Sequence, residues 1–306
     1  MVPRLGGELF LTDGGMETSL VFVDGFELPQ FAAFPLLDDE RGREALRAYF
    51  LPYVVIAKDR GLGILLGAPT WRASAHWGGL LGYGEAALAD VNRRAVALVE
   101  EIRADAGGSP PIVIGGCVGP RDDAYQPERQ HTVDDLVAYH RPQIATLAQT
   151  TADMVDALTL TYAEEAIAIA RAAQAEEVPV AISFTVETDG RLPSGQELSD
   201  AIDEVDTATN GSVAYFMVNC AHPTHFEDAL AEAGRWRERI GGIRANASRK
   251  SHAELDESEE LDAGDPDELA AHYAVLQRLL PNLSVAGGCC GTDHRHVAAI
   301  AAALAP

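Results

Sequence analysis

The chain has 306 residues, 47% of them hydrophobic, enough to bury one barrel-sized core or two ordinary ones, and no compositional break marks a second unit. Its 47 acidic residues against 23 basic ones give a formal charge of -24, which repels phosphate backbones and anionic membrane surfaces and excludes nucleic acid as a partner. No apolar run is long enough to cross a bilayer and the N-terminus carries no apolar signal segment, so no membrane partner and a cytoplasmic location are expected.

In chain order, short apolar runs read as strands and the longer periodic stretches between them as helices. Leu9 to Thr12 is the first strand and ends in Asp13-Gly14-Gly15. An irregular segment from Phe22 to Asp39 follows, and helical spacing then runs from Glu44 to Arg60. The second strand, Ile64 to Ala68, leads into Pro69-Thr70; the amphipathic stretch Glu85 to Ala106 precedes the third, Ile112 to Gly115, with Gly119-Pro120 beyond it. A second irregular segment, Asp122 to Thr132, gives way to a helix over Thr132 to Gln149 and a strand over Met154 to Thr159. Glu164 to Ala175 reads as helix, Val180 to Thr185, Tyr215 to Asn219 and Gly242 to Ala245 as strands, Pro266 to Leu279 as helix, and Ser284 to Gly287 as the last strand. The acidic run from Glu254 to Asp262 reads as an exposed loop or helix end.

This alternation predicts an α/β fold, a (β/α)8 TIM barrel forming a single domain over residues 1–306. Such barrels build their active sites where strands end at the C-terminal face. Asp13, Thr70, Cys220, Asn246, Cys289 and Cys290 all fall at predicted strand ends.

Three of the four cysteines carry the strongest chemical signal: Cys220, and the adjacent pair Cys289 and Cys290 inside Gly287-Gly-Cys-Cys-Gly-Thr292. Three thiolates fill three corners of a zinc tetrahedron and leave the fourth open, the layout of a catalytic zinc site. The flanking glycines permit a path that turns consecutive cysteines toward one ion. Two buried core cysteines beside an unrelated third is the competing reading, and a disulfide between sequence neighbours is geometrically awkward. Trp71 and Trp77 offer aromatic faces for a cationic ligand, against rim packing, and Cys117 reads as a small buried hydrophobe.

Taken together, Asp13-Gly-Gly-Met-Glu-Thr18, Thr70-Trp-Arg-Ala-Ser74, Gly115-Gly-Cys-Val-Gly-Pro120, Ser183-Phe-Thr185, Val218-Asn-Cys220 and Gly287-Gly-Cys-Cys-Gly-Thr292 resemble the homocysteine S-methyltransferase family. The resemblance implies a zinc-dependent methyltransferase in which Cys220, Cys289 and Cys290 hold Zn2+. A small-molecule thiol acceptor, homocysteine, then takes a methyl group from a sulfonium or ammonium donor to give methionine. It also implies contacts to the amino acid substrate from Asp13, Gly14 and Thr70. Where the family pattern reads Phe-Glu-Thr after the fourth strand, this chain has Ala157-Leu158-Thr159, and Leu158 accepts no hydrogen bond from an ammonium group. Asp13, Glu17 and Glu187 are the candidate replacements, with Glu187 favoured by its position after Ser183-Phe-Thr185. The alternatives are a different thiol or selenol acceptor, or a thiol-based redox or zinc-binding barrel without methyl transfer.

Overall fold

In a computed structural model, which describes residues 2–124, 131–231, 234–258 and 260–305, the eight apolar runs form eight parallel strands that close into one barrel, each paired with its sequence neighbours and β8 returning to β1. The strands are β1 (Phe10–Thr12), β2 (Gly63–Gly67), β3 (Ile112–Val118), β4 (Met154–Leu160), β5 (Val180–Phe184), β6 (Tyr215–Asn219), β7 (Ile240–Ala245) and β8 (Val285–Gly288). Every one of their residues is buried, as expected of parallel strands covered on one face by helices and on the other by the barrel interior.

The helices in chain order are α1 (Met16–Phe22), α2 (Glu40–Arg60), α3 (Ala75–Leu80), α4 (Glu85–Asp105), α5 (Val133–Ala148), α6 (Ala163–Ala175), α7 (Leu198–Thr209), α8 (Glu227–Ala231), α9 (His252–Asp256), α10 (Pro266–Leu279) and α11 (His294–Leu304). Their starts carry the expected signals. Asp39, Thr132 and Asp265 accept backbone N–H groups at the first turns of α2, α5 and α10, and Ser251 with Glu254 forms a reciprocal capping box on α9.

Strand alternation divides the apolar residues into two layers. Outward residues such as Ile64, Ile114, Val155, Ile182, Phe216 and Ile243 pack in the large cluster against the helices. Inward residues, among them Phe10, Leu65, Val113, Met154, Tyr215 and Met217, fill the barrel as a second cluster. The inward positions turn polar toward the strand ends: Asp156 follows Met154 by two, Ser183 follows Ala181, Asn219 follows Met217 and Arg244 follows Gly242. A plug of large side chains at the bottom and buried polar groups above it thus leave room for chemistry only at the C-terminal mouth.

The irregular segment Phe22 to Asp39 contains two short 3-10 turns, at Pro29–Phe31 and Phe34–Asp38. Of the second, Asp122 to Thr132, residues 125–130 lie outside the described residues. Among the described residues no helix is long and apolar enough to cross a membrane.

Candidate active site

β6 ends one residue before Cys220, whose backbone sits at φ 58°, the left-handed region that costs a residue with a side chain about 1–2 kcal/mol. Its carbonyl oxygen is held in this conformation from three directions. Asn246 Nδ2 donates across 3.0 Å, His252 Nε2 across 2.6 Å, and the Thr185 hydroxyl across 3.4 Å. Cys220 N–H donates to the carbonyl of Arg244 at 3.1 Å. The unusual backbone aims the Cys220 thiol across the mouth rather than into the outer layer.

Cys289 and Cys290 stand in the turn after β8. Gly291 takes φ 78° immediately after them, a conformation glycine adopts without strain, and so releases the chain from the turn. Gly287 and Gly288 have no such backbone; a Cβ on either would collide with Thr12 or Thr292, so close packing rather than conformational freedom is what they provide. At the facing end of β1, Gly15 allows equally close approach: a Cβ there would lie 2.6 Å from the Cys289 carbonyl oxygen and 3.1 Å from Cys290 Cα.

These two turns bring the three thiols together. The Sγ atoms of Cys220, Cys289 and Cys290 all lie within 4.8 Å of one another, with Cys220 and Cys290 at 3.5 Å. A tetrahedral site with Zn–S bonds of about 2.3 Å has S···S edges of about 3.8 Å, so the donor set fits a zinc ion in both element and spacing. Asn219 Nδ2 lies 3.8 Å from Cys289 Sγ and donates to it, and the same amide donates to Thr159 Oγ1 at 2.8 Å while its oxygen accepts from Thr159 N and Ser183 Oγ. Hydrogen bonds from Cys220 and then Cys290, with the Arg244 charge behind them, hold the Cys289 thiol below the ordinary thiol range.

The thiols open onto a cavity of about 380 Å³, the size of a small-ligand site. Leu158, Trp71 and Cys117 form apolar wall, and Asp123, Asp256, Glu260 and Asp262 stand toward the rim. The acidic stretch after residue 254, expected only as exposed chain, therefore also forms part of the cavity's border. Phe22, expected to open the irregular segment, is instead the last residue of α1, and with Phe31 from the stretch after it also lines the cavity. Trp77 offers no open face: the Arg72 guanidinium lies 3.6 Å from its ring centroid and 4.8 Å from that of Trp71.

The residues expected to bind the substrate are dispersed. Asp13 lines the cavity but is engaged, its Oδ1 accepting from Arg244 at 2.6 Å and its Oδ2 from Tyr49 at 3.1 Å; burial raises its pKa against the pull of Arg244. Gly14 also lines the cavity, close to the Thr292 carbonyl and the Tyr53 hydroxyl. Thr70 is fully buried and donates to the Cys117 carbonyl at 2.7 Å, while its neighbours Pro69 and Trp71 form the wall. Glu187 is not part of that wall; its Oε1 lies 3.2 Å from His252 Nδ1. Glu17, in the first turn of α1, does line the cavity, and burial raises its carboxyl to about 7.

Sequence reading assigned no role to Asn219, Arg244 or His252. Arg244 left a signal, a charged residue inside a run read as a buried strand. It lies between two carboxylates, Asp13 and Asp156, the latter at 3.4 Å and raised to about 6 by burial despite the cation beside it. His252 left none, since its partners come from the loops after β5 and β6, far from it in the chain.

A closed (β/α)8 barrel with three convergent thiols at its C-terminal mouth defines a barrel enzyme with a thiol-lined pocket. The chain belongs to the homocysteine S-methyltransferase family, whose model matches residues 10–304, and it is a methyltransferase of that kind. Among solved structures it is similar to the homocysteine methyltransferase MmuM from Escherichia coli. The oxidized form matches with a TM-score of 0.77 at 21% identity over 97% of this chain and 96% of that one. The metallated form matches at 0.75 and 20%, with the same coverage, and the apo form at 0.69 and 21%. No curated protein sequence matches.

Proposed function

We propose that this protein is a zinc-dependent S-methyltransferase in which Cys220, Cys289 and Cys290 hold the metal and homocysteine, or a close thiol analogue, is the acceptor. The convergence of three sulfur atoms on one point of the cavity carries this reading. Bound there, zinc would offer its remaining position to the acceptor sulfur, lowering its pKa and fixing it in place.

The chain's own residues supply the rest. Asn219 orients Cys289, and the bonds from Asn246, His252 and Thr185 fix Cys220, so the ligand set is preorganised. Leu158 and Trp71 exclude water from the sulfur and the methyl group that it attacks. The methyl passes to sulfur as the donor's carbon–heteroatom bond breaks, the donor leaves neutral, and the thiol proton goes to solvent. Asp123, Asp256, Glu260 and Asp262 raise the local concentration of a cationic donor, sulfonium or quaternary ammonium.

For the acceptor's ammonium group the supported partner is Glu17 rather than Glu187. Glu17 lines the cavity and feels the charge of Cys289, whereas Glu187 braces His252. Asp13 serves through Arg244, and Gly14 and Thr70 shape the β1 and β2 exits beside it.

The test is a donor screen with homocysteine, using S-methylmethionine, S-adenosylmethionine and betaine with methionine read by mass spectrometry, alongside metal analysis. One equivalent of thiol-bound zinc, read by its cobalt charge-transfer band, and donor-dependent methionine, both lost in Cys220→Ser, are expected. Full activity in zinc-stripped protein refutes the proposal.

A further inference from the structure

Outside the cavity, the loop leaving β6 faces α10 across a side-chain cluster that methyl transfer does not use. His222 on the loop, and Glu268 and His272 on α10, bring one ligand-type atom each to within 4.8 Å of one another. Glu268 and His272 are four residues apart and so share one face of their helix.

The hydrogen bond on His272 selects the ring nitrogen that points inward. His272 Nδ1 lies 2.5 Å from Glu227 Oε1 in α8, and a carboxylate there takes the Nδ1 proton and leaves the lone pair on Nε2. That Nε2 is 3.7 Å from Glu268 Oε1, too far for a hydrogen bond and compatible with two ligands of one ion. His222 Nδ1 lies 2.9 Å from the Thr224 hydroxyl oxygen and accepts the Thr224 backbone N–H at 3.3 Å, contacts that fix the orientation of the ring. The two imidazoles meet edge to face with centroids 5.2 Å apart. Ligating histidines characteristically give their second ring nitrogen to a carboxylate or other acceptor, as His272 does here with Glu227. Glu268 also pairs with Arg249, whose side chain is 59% exposed and has solvent to move into.

We propose that His222, Glu268 and His272 form a second, outer metal site for a divalent transition ion of the zinc type, separate from the three thiols, with Thr224 and Glu227 orienting its histidines. Two imidazoles and a carboxylate suit such an ion. The ion would tie the loop that follows Cys220 to α10.

Zinc alone, titrated into metal-stripped full-length protein and followed by calorimetry and elemental analysis, tests the site. One equivalent is expected to be lost in both His272→Gln and Glu268→Gln and retained in Cys220→Ser. Cobalt separates the two sites spectroscopically, because only the thiol site gives a thiolate-to-metal charge-transfer band. The equivalent that survives Cys220→Ser should lack this band. Glu268 is at the surface, and its conservative variant, with circular dichroism as the check, keeps loss of metal distinct from loss of fold. Zinc binding unchanged by both substitutions overturns the proposal, as does a Cys220→Ser protein that takes up none.

Discussion

The His252 ring donates from Nε2 to the carbonyl oxygen of Cys220 at 2.6 Å while its Nδ1 faces Glu187. Burial opposes charge on this ring, but its hydrogen bonds with Glu187 and Cys220 outweigh that penalty and raise its pKa. This two-ended brace secures the thiol carried on left-handed backbone. His252→Ala should weaken zinc binding about 10–100-fold in a chelator competition, with Glu187→Gln weaker in effect. Unchanged affinity in both variants would mean that Asn246 and Thr185 suffice to hold the Cys220 carbonyl.

Arg244 is a cation between Asp13 and Asp156 in the barrel interior, within 2.6 and 3.4 Å of them. Removing one partner of a buried ionic group leaves uncompensated charge, so Arg244→Met should cost about 3–5 kcal/mol in urea unfolding at pH 8. The loss should shrink at pH 5. Asp156, at about 6 in the folded protein against an ordinary 3.8, is protonated more readily folded than unfolded, so acid relieves the charge in the native state. A loss that is flat with pH contradicts this account.

Glu17 makes the opposite kind of test, because removing its charge should stabilise. Its folded pKa of about 7 exceeds the unfolded 4.5, so the native state binds more protons between these values and stability falls as pH rises through that window. Glu17→Gln should therefore melt higher than the parent at pH 8, by on the order of 1–2 kcal/mol, with the difference vanishing near pH 4. The same substitution should raise KM for the acceptor far more than it lowers kcat, and the parent's acceptor KM should climb below about pH 7 as the carboxylate protonates.

Gly15→Ala would place a methyl group 2.6 Å from the Cys289 carbonyl oxygen. The turn carrying both cysteines must shift, at about 1–3 kcal/mol of overpacking. The expected result is weakened zinc binding with the far-UV spectrum of the barrel retained. Parent-like affinity would show that the turn tolerates displacement without disturbing the thiols.

Strand runs were legible because a buried parallel strand needs an uninterrupted apolar stretch. All eight observed strands overlap those expected, and α10 has the expected limits, Pro266 to Leu279, marked by an N-terminal proline and apolar spacing. Other helices were less legible. α11 has an alanine-rich C-terminal half, so its apolar content did not stand out as one face, and α1, α3, α8 and α9 are too short for periodicity to register. The end of α1 and the irregular stretch after it gave no sign that Phe22 and Phe31 would reach the cavity, because loops are positioned by what they pack on rather than by a repeat.

By itself the sequence determined the barrel, the family resemblance and the three thiols as a candidate ligand set, since each is written in local runs and short motifs. Tertiary structure alone decided which carboxylates face the cavity, because that depends on partners far apart in the chain. Asp13 is engaged by Arg244, 231 positions away, and Glu187 is drawn to His252, leaving Glu17 as an acid on the wall. Buried charges seek opposite charges at hydrogen-bond distance, and closing the barrel is what sets those distances.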